Sequence, residues 1–85
     1  MTIDNDIYNQ ELQRGIAKYP PELWATLDGV QMIHALEREV EELKTALWKG
    51  ELEGDHGIVK ESFHVQIVAY RIREEMKRRG ANGAL

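Results

Sequence analysis

The tetrapeptide Asp28-Gly29-Val30-Gln31 opens directly onto apolar residues at Ile33, Leu36, Val40, Leu43 and Leu47, spaced 3, 4, 3 and 4, and Gly50 follows Lys49. A capping aspartate with glutamine three positions on satisfies two of the orphan backbone donors of a helix start. The alternating spacing draws one apolar seam along one face of a helix, and glycine just past a basic residue is a common helix stop. One long helix is therefore expected between about Gly29 and Lys49. A second line on that helix, about 100° round, reads Met32, Ala35, Glu39, Glu42 and Ala46, so small residues flank an acidic pair.

The rest of the chain is arranged around this helix. Glu51 to Gly57, with Gly50, Gly54 and Gly57, reads as a short polar loop of the kind that joins antiparallel helices. Asp55 is the expected cap of a second long helix over residues 58–79, ended by Gly80. Its main seam is Ile58, Val65, Ala69, Ile72 and Met76, while Val59, Phe63, Ile67 and Tyr70 put a second stripe on the opposite side. A helix apolar on both sides is buried on both sides, and the second stripe is assigned to a subunit interface. Upstream, residues 5–18 carry Ile7, Leu12 and Ile16 among polar residues and read as a short helix, stopped by Pro20 and Pro21. Glu22 to Ala25 reads as a short helical piece anchoring Trp24, and residues 81–85 as a frayed tail.

The expected fold is all-α: an antiparallel helical hairpin with a short leading helix, one domain over residues 1–85 with its core at about 28–79. A chain of 85 residues builds only a marginal core alone. Completion of a four-helix-type bundle as a homodimer or homotetramer is therefore expected.

Composition closes several routes. There is no cysteine, which excludes disulfides and thiolate metal sites. The N-terminus lacks a basic start with an apolar run, and no apolar stretch approaches the roughly 20 residues that span a bilayer; a soluble, cytoplasmic protein without a membrane partner is expected. The net charge of −4 is uneven, with eight acids and four bases over residues 37–61 but five bases and two acids over Arg71 to Arg79. Basic residues suit the last turns of a helix, and the acidic middle argues against nucleic acid as a partner.

Residues three apart share a helix face. Glu39 with Glu42 and Glu61 with His64 thus form two pairs that two packed helices can set along one cleft. Hard divalent cations such as Mg²⁺ take carboxylate oxygens together with substrate phosphates, so these four residues are candidate ligands, with Glu42 and Glu61 as the candidate catalytic groups. Lys44, Lys49, Lys60 and Arg71 are candidates for phosphate contacts, and Trp24 or Trp48 for stacking on a base. The competing reading makes the glutamates solvated surface, with Arg38 paired to Glu42, makes His34, His56 and His64 structural, and makes the tryptophans core anchors. No Ser/His/Asp nucleophile arrangement or phosphate-cradling glycine loop is present: Gly54-Asp55-His56-Gly57 follows no strand and lacks the Lys-Ser/Thr of a P-loop.

Glu39-Val40-Glu41-Glu42-Leu43, a linker and then Glu61-Ser62-Phe63-His64 resemble the ExxE…ExxD pattern of MazG-type nucleoside triphosphate pyrophosphohydrolases, over roughly residues 30–75. The segment around Trp24 resembles the lead-in helix of small MazG-like proteins. The resemblance implies a helical fold that dimerises into a bundle, Mg²⁺ held by Glu39, Glu42 and Glu61, and hydrolysis of an NTP or dNTP to monophosphate and pyrophosphate. His64 stands where the family pattern has aspartate. Imidazole is a poorer ligand than carboxylate for Mg²⁺ and a better one for Mn²⁺ or Zn²⁺. Two functions follow from the resemblance: a pyrophosphohydrolase with altered metal preference, or a catalytically degenerate relative that serves as a protein-interaction or nucleotide-binding module.

Overall fold

The computed structural model describes residues 2–80, with side chains from Asn5 onward; the reading of 81–85 as a tail lies outside the described residues. Four helices form, α1 (Thr2–Lys18), α2 (Pro21–Trp24), α3 (Gly29–Lys49) and α4 (Ile58–Gly80), with no strand among the described residues. None is long and apolar enough to cross a membrane.

Both ends of α3 follow the local chemistry of its sequence. The Asp28 carboxylate accepts from the Gln31 N–H, and the Gln31 side chain accepts from the Asp28 N–H, each at 2.8 Å. At the other end Gly50 takes the left-handed φ of 73°, and its N–H reaches the Ala46 and Leu47 carbonyls. α1 starts at Thr2 rather than near residue 5, and α2 starts at Pro21, where a missing N–H costs a helix nothing.

The expected Asp55 cap is not made. Asp55 instead accepts from the Lys60 ammonium at 3.0 Å, and the first amides of α4 are met by loop carbonyls, Ile58 N–H by Glu51 and Val59 N–H by Leu52. The chain can fold back this tightly because residue 57 is glycine. A Cβ there would sit 2.6 Å from the Glu53 carbonyl carbon and 2.7 Å from the Leu52 oxygen.

α4 is the central element, with α3 packed along it on one side and α1 and α2 on another. Within the stripe Val59, Phe63, Ile67 and Tyr70, expected at a subunit interface, α1 covers Phe63 and Ile67. Tyr8 packs edge-on against Phe63 with ring centroids 5.6 Å apart, and Ile67 is buried. Aromatic pairs at that separation and angle gain energy beyond their area.

The rotation of α3 also differs from one that would set the two apolar seams against each other. The seam does not face α4: Ile33 and Leu47 remain 50% and 59% exposed, whereas Met32 and Ala46, on the neighbouring line, are 2% and 1% exposed. Along that line Ala46 is buried and Ala35 half-buried, and Glu39 between them is half-buried in the hairpin. The basic C-terminal stretch is used internally. Arg71 donates to the Tyr19 carbonyl at 2.5 Å, with its guanidinium 5.4 Å from the Trp24 ring, and Arg79 donates to the Leu27 carbonyl at 2.6 Å. These two arginines tie the lead-in segment to α4.

Candidate metal centre

Because α3 turns its Met32–Ala46 line toward α4, Glu39 and Glu42 arrive opposite Glu61 and His64. One ligand atom from each of the four lies within 4.8 Å of the others. Glu61 is only 2% exposed. Its Oε1 meets His64 Nδ1 at 3.0 Å and its Oε2 meets His56 Nδ1 at 3.2 Å, so the carboxylate is held from two sides. Glu42 is exposed and has no hydrogen bond or ion pair among the described residues, Arg38 included.

His64 is the pivot of the cluster. Its Nε2 faces Glu11 Oε1 at 2.6 Å, while Nδ1 faces Glu61 and, at 3.8 Å, Glu39. Burial alone would favour the neutral ring. The hydrogen bonds to Glu11 and Glu61 and their charges outweigh it, and the His64 pKa is raised above the ordinary histidine value. Glu39 is shifted up as well, by burial and then by the neighbouring Glu42 and Glu61 carboxylates, against the opposing pull of His64 and Arg38. Three carboxylates around one imidazole are an arrangement in which a cation relieves mutual repulsion.

In the neutral tautomer that keeps Nε2–H toward Glu11, the Nδ1 lone pair of His64 points at the cluster. A carboxylate on the far nitrogen is the usual support of a metal-bound histidine, fixing tautomer and ring orientation. Glu11 is itself buried and has Arg14 at 3.5 Å and Lys60 at 3.9 Å. A cleft of about 320 Å³ opens beside the cluster, lined by Glu41, Glu42, Thr45, Ala46, Lys49, His56 and Glu61.

The structure thus brings together the four expected ligands and sets Lys49 on the wall of the adjoining cleft. Lys60 lies close by but is engaged by Asp55 and approaches Glu11. Lys44 points outward, 3.9 Å from Glu41, and Trp48 is 91% exposed; neither lines the cleft. Arg71 and Trp24 pack on each other in a separate depression at the α1–α2 end. Glu11 and His56 were not among the expected site residues. Glu11 occupies a polar position on a weakly amphipathic helix and reaches His64 only through the packing of α1 on α4. His56 reads as loop surface, and only the tight turn at Gly57 returns it to Glu61.

Comparison with known proteins gave no match to a protein-family model, to a curated protein or to a solved structure.

Proposed function

We propose that the chain is a metal-dependent nucleoside triphosphate pyrophosphohydrolase of the MazG-like type, converting an NTP or dNTP to the monophosphate and pyrophosphate. The observation that carries the reading is the meeting of Glu39, Glu42, Glu61 and His64 within 4.8 Å, in the ExxE and ExxH spacing of two antiparallel helices. Bonds of about 2.1 Å separate the ligands of a six-coordinate ion by at most about 4.2 Å, so this set closes on an ion through small side-chain movements. Three carboxylate oxygens with one imidazole nitrogen suit Mn²⁺ at least as well as Mg²⁺.

A divalent cation in this cluster would supply charge offset at the phosphates and a lower pKa for a bound water. The residues of the chain supply the rest. Glu39 and Glu61 are semi-buried or buried and fix two donor positions, and Glu11 orients His64. Glu42 would offer one oxygen to the ion, and its other oxygen, without a hydrogen-bond or ion-pair partner among the described residues, is free to take a proton from the attacking water as the water oxygen bonds to the α-phosphorus and pyrophosphate leaves. Lys49 and Thr45 on the cleft wall offer a cation and a hydroxyl to the departing phosphates.

One observation favours the degenerate module as a second reading. His64 replaces the pattern's aspartate and has carboxylates on both ring nitrogens. The test is pyrophosphate release from a panel of NTPs and dNTPs with Mg²⁺ and with Mn²⁺, using wild type, Glu42→Gln and His64→Asp. Turnover that disappears in Glu42→Gln supports the enzyme. A silent wild type with an active His64→Asp supports the degenerate module, and silence in all three removes the hydrolase reading.

A further inference from the structure

One buried charge is left without a counter-ion. Arg71 is 8% exposed, yet no carboxylate pairs with it among the described residues. Of its N–H donors one is bonded, to the Tyr19 carbonyl, and the guanidinium lies 5.4 Å from the centre of the Trp24 ring. A carbonyl and a ring offset part of the cost of burying the cation, and an anion offsets it far better. Desolvation accordingly lowers the Arg71 pKa, with only Tyr70 opposing it. Trp24, itself 7% exposed, adds a second unanswered donor, for its Nε1–H is buried and has no acceptor among the described residues.

Both residues line a cavity of about 230 Å³ at the α1–α2 end of the molecule, where Ile16, Pro21 and Tyr70 form the apolar walls. The carboxylates at its edge are already engaged. Glu75 accepts from Arg78 and Arg79, and Glu74 has Lys77 at 3.4 Å. The capacity left on Arg71 and Trp24 is entirely that of donors. We propose that the cavity is a binding site for a small aromatic monocarboxylate, with its carboxylate on the Arg71 guanidinium and its ring among Ile16, Pro21 and Tyr70. The guanidinium fork matches a carboxylate geometrically. A single negative charge is preferred to a phosphate dianion, because Glu74 and Glu75 also border the cavity and repel the larger charge more. The volume falls below the roughly 300–1,000 Å³ of sites for drug-sized ligands, which favours an acid of one or two rings over a nucleotide. No lining residue is shared with the cleft beside the metal cluster, so this site stands apart from the reading of that cluster.

The test is a titration of the isotope-labelled full chain with benzoate, with indoleacetate and with the neutral amide benzamide, followed through the indole N–H resonances of Trp24 and Trp48, which Trp48→Phe assigns. Either acid is expected to shift the Trp24 resonance saturably and to leave that of Trp48, which lies outside the cavity, in place. Benzamide should bind at least about tenfold more weakly than benzoate, since it lacks the charge-assisted bonds to Arg71. Arg71→Gln should weaken benzoate by about the same factor, with circular dichroism to verify the helices. If that variant unfolds, the comparison of benzoate with benzamide on wild type decides the question. No saturable shift with either acid overturns the proposal, as does equal affinity for benzoate and benzamide, or a folded Arg71→Gln that keeps wild-type affinity. Equal movement of both indole signals would mean nonspecific association and overturns it too.

Discussion

Glu11 and His64 stand 53 positions apart in sequence, yet Glu11 Oε1 lies 2.6 Å from His64 Nε2, and both groups are shielded by the packing of α1 on α4. The contact connects the leading helix to the cluster on the hairpin, so that α1 both covers part of an apolar stripe and orients a candidate ligand. Glu11→Gln keeps the size of the side chain and removes its charge. It is expected to weaken Mn²⁺ binding about 10–100-fold, the usual cost of losing the carboxylate behind a metal-bound histidine. Calorimetric titration of the folded variant reads this directly. Wild-type affinity in the variant would mean that the pair joins α1 to α4 and does nothing for the cluster.

Glu39 sits half-buried beside Glu42 and Glu61, and its carboxylate is held above its ordinary pKa by that environment. Charge crowding of this kind is a cost to the metal-free fold. Glu39→Gln should therefore raise the stability of the metal-free protein, by about 0.5–1 kcal/mol, and at the same time abolish the rise in melting temperature that Mn²⁺ would produce by binding the proposed centre in the native state. Thermal melts with and without Mn²⁺ separate the two effects. A variant less stable than wild type without metal would show that Glu39 contributes a structural contact, and the account of a repulsive cluster would be wrong.

How far the sequence anticipates this arrangement depends on the range of the interaction involved. The ends of α3 were legible because Asp28, Gln31 and Gly50 act on backbone groups within one turn. The pairing of Glu39 and Glu42 with Glu61 and His64 was legible because i,i+3 spacing and a short loop leave few alternatives for a hairpin. The rotation of α3 was not. It depends on how two helices pack over their whole length, with Met32 and Ala46 buried and the more regular seam of Ile33, Val40 and Leu47 left outside. Glu11 and His56 were illegible for a related reason: a glutamate on a helix and a histidine in a loop carry no local mark of the residue they will meet.

Two glycines on the hairpin loop should differ in what they tolerate. At Gly50 a Cβ meets open space, so Gly50→Ala is opposed only by the φ of 73° and should cost about 1 kcal/mol. At Gly57 a Cβ would run into the Glu53 and Leu52 carbonyl groups, and the latter accepts from the second amide of α4. Gly57→Ala should cost more, about 1–3 kcal/mol, and should loosen the His56–Glu61 contact with it. Urea unfolding of the two variants measures both costs, and equal midpoints would contradict the close approach at Gly57.

Glu75 provides the clearest dependence on pH. Hydrogen bonds from Arg78 and then Arg79 hold its carboxyl at about 2, against an ordinary value of 4.5. A carboxylate whose folded pKa is depressed stabilises the fold fully above its unfolded pKa, and that contribution is lost as pH falls toward the folded one. The window here runs from about pH 4.5 down to about 2. Glu75→Gln should therefore melt below wild type at neutral pH, and the gap between them should close across that window as the wild-type carboxylate takes up its proton. The difference between the two melting curves is the informative quantity. Arg79 extends the effect to α2 and the turn after it, because the guanidinium that holds Glu75 also donates to the Trp24 and Leu27 carbonyls. Arg79→Met should lower stability at every pH and also reduce the part that depends on Glu75. If the gap between wild type and Glu75→Gln stays constant down to pH 2, the ion pairs contribute nothing and the clamp on α2 acts through the Arg79 bonds to backbone carbonyls alone.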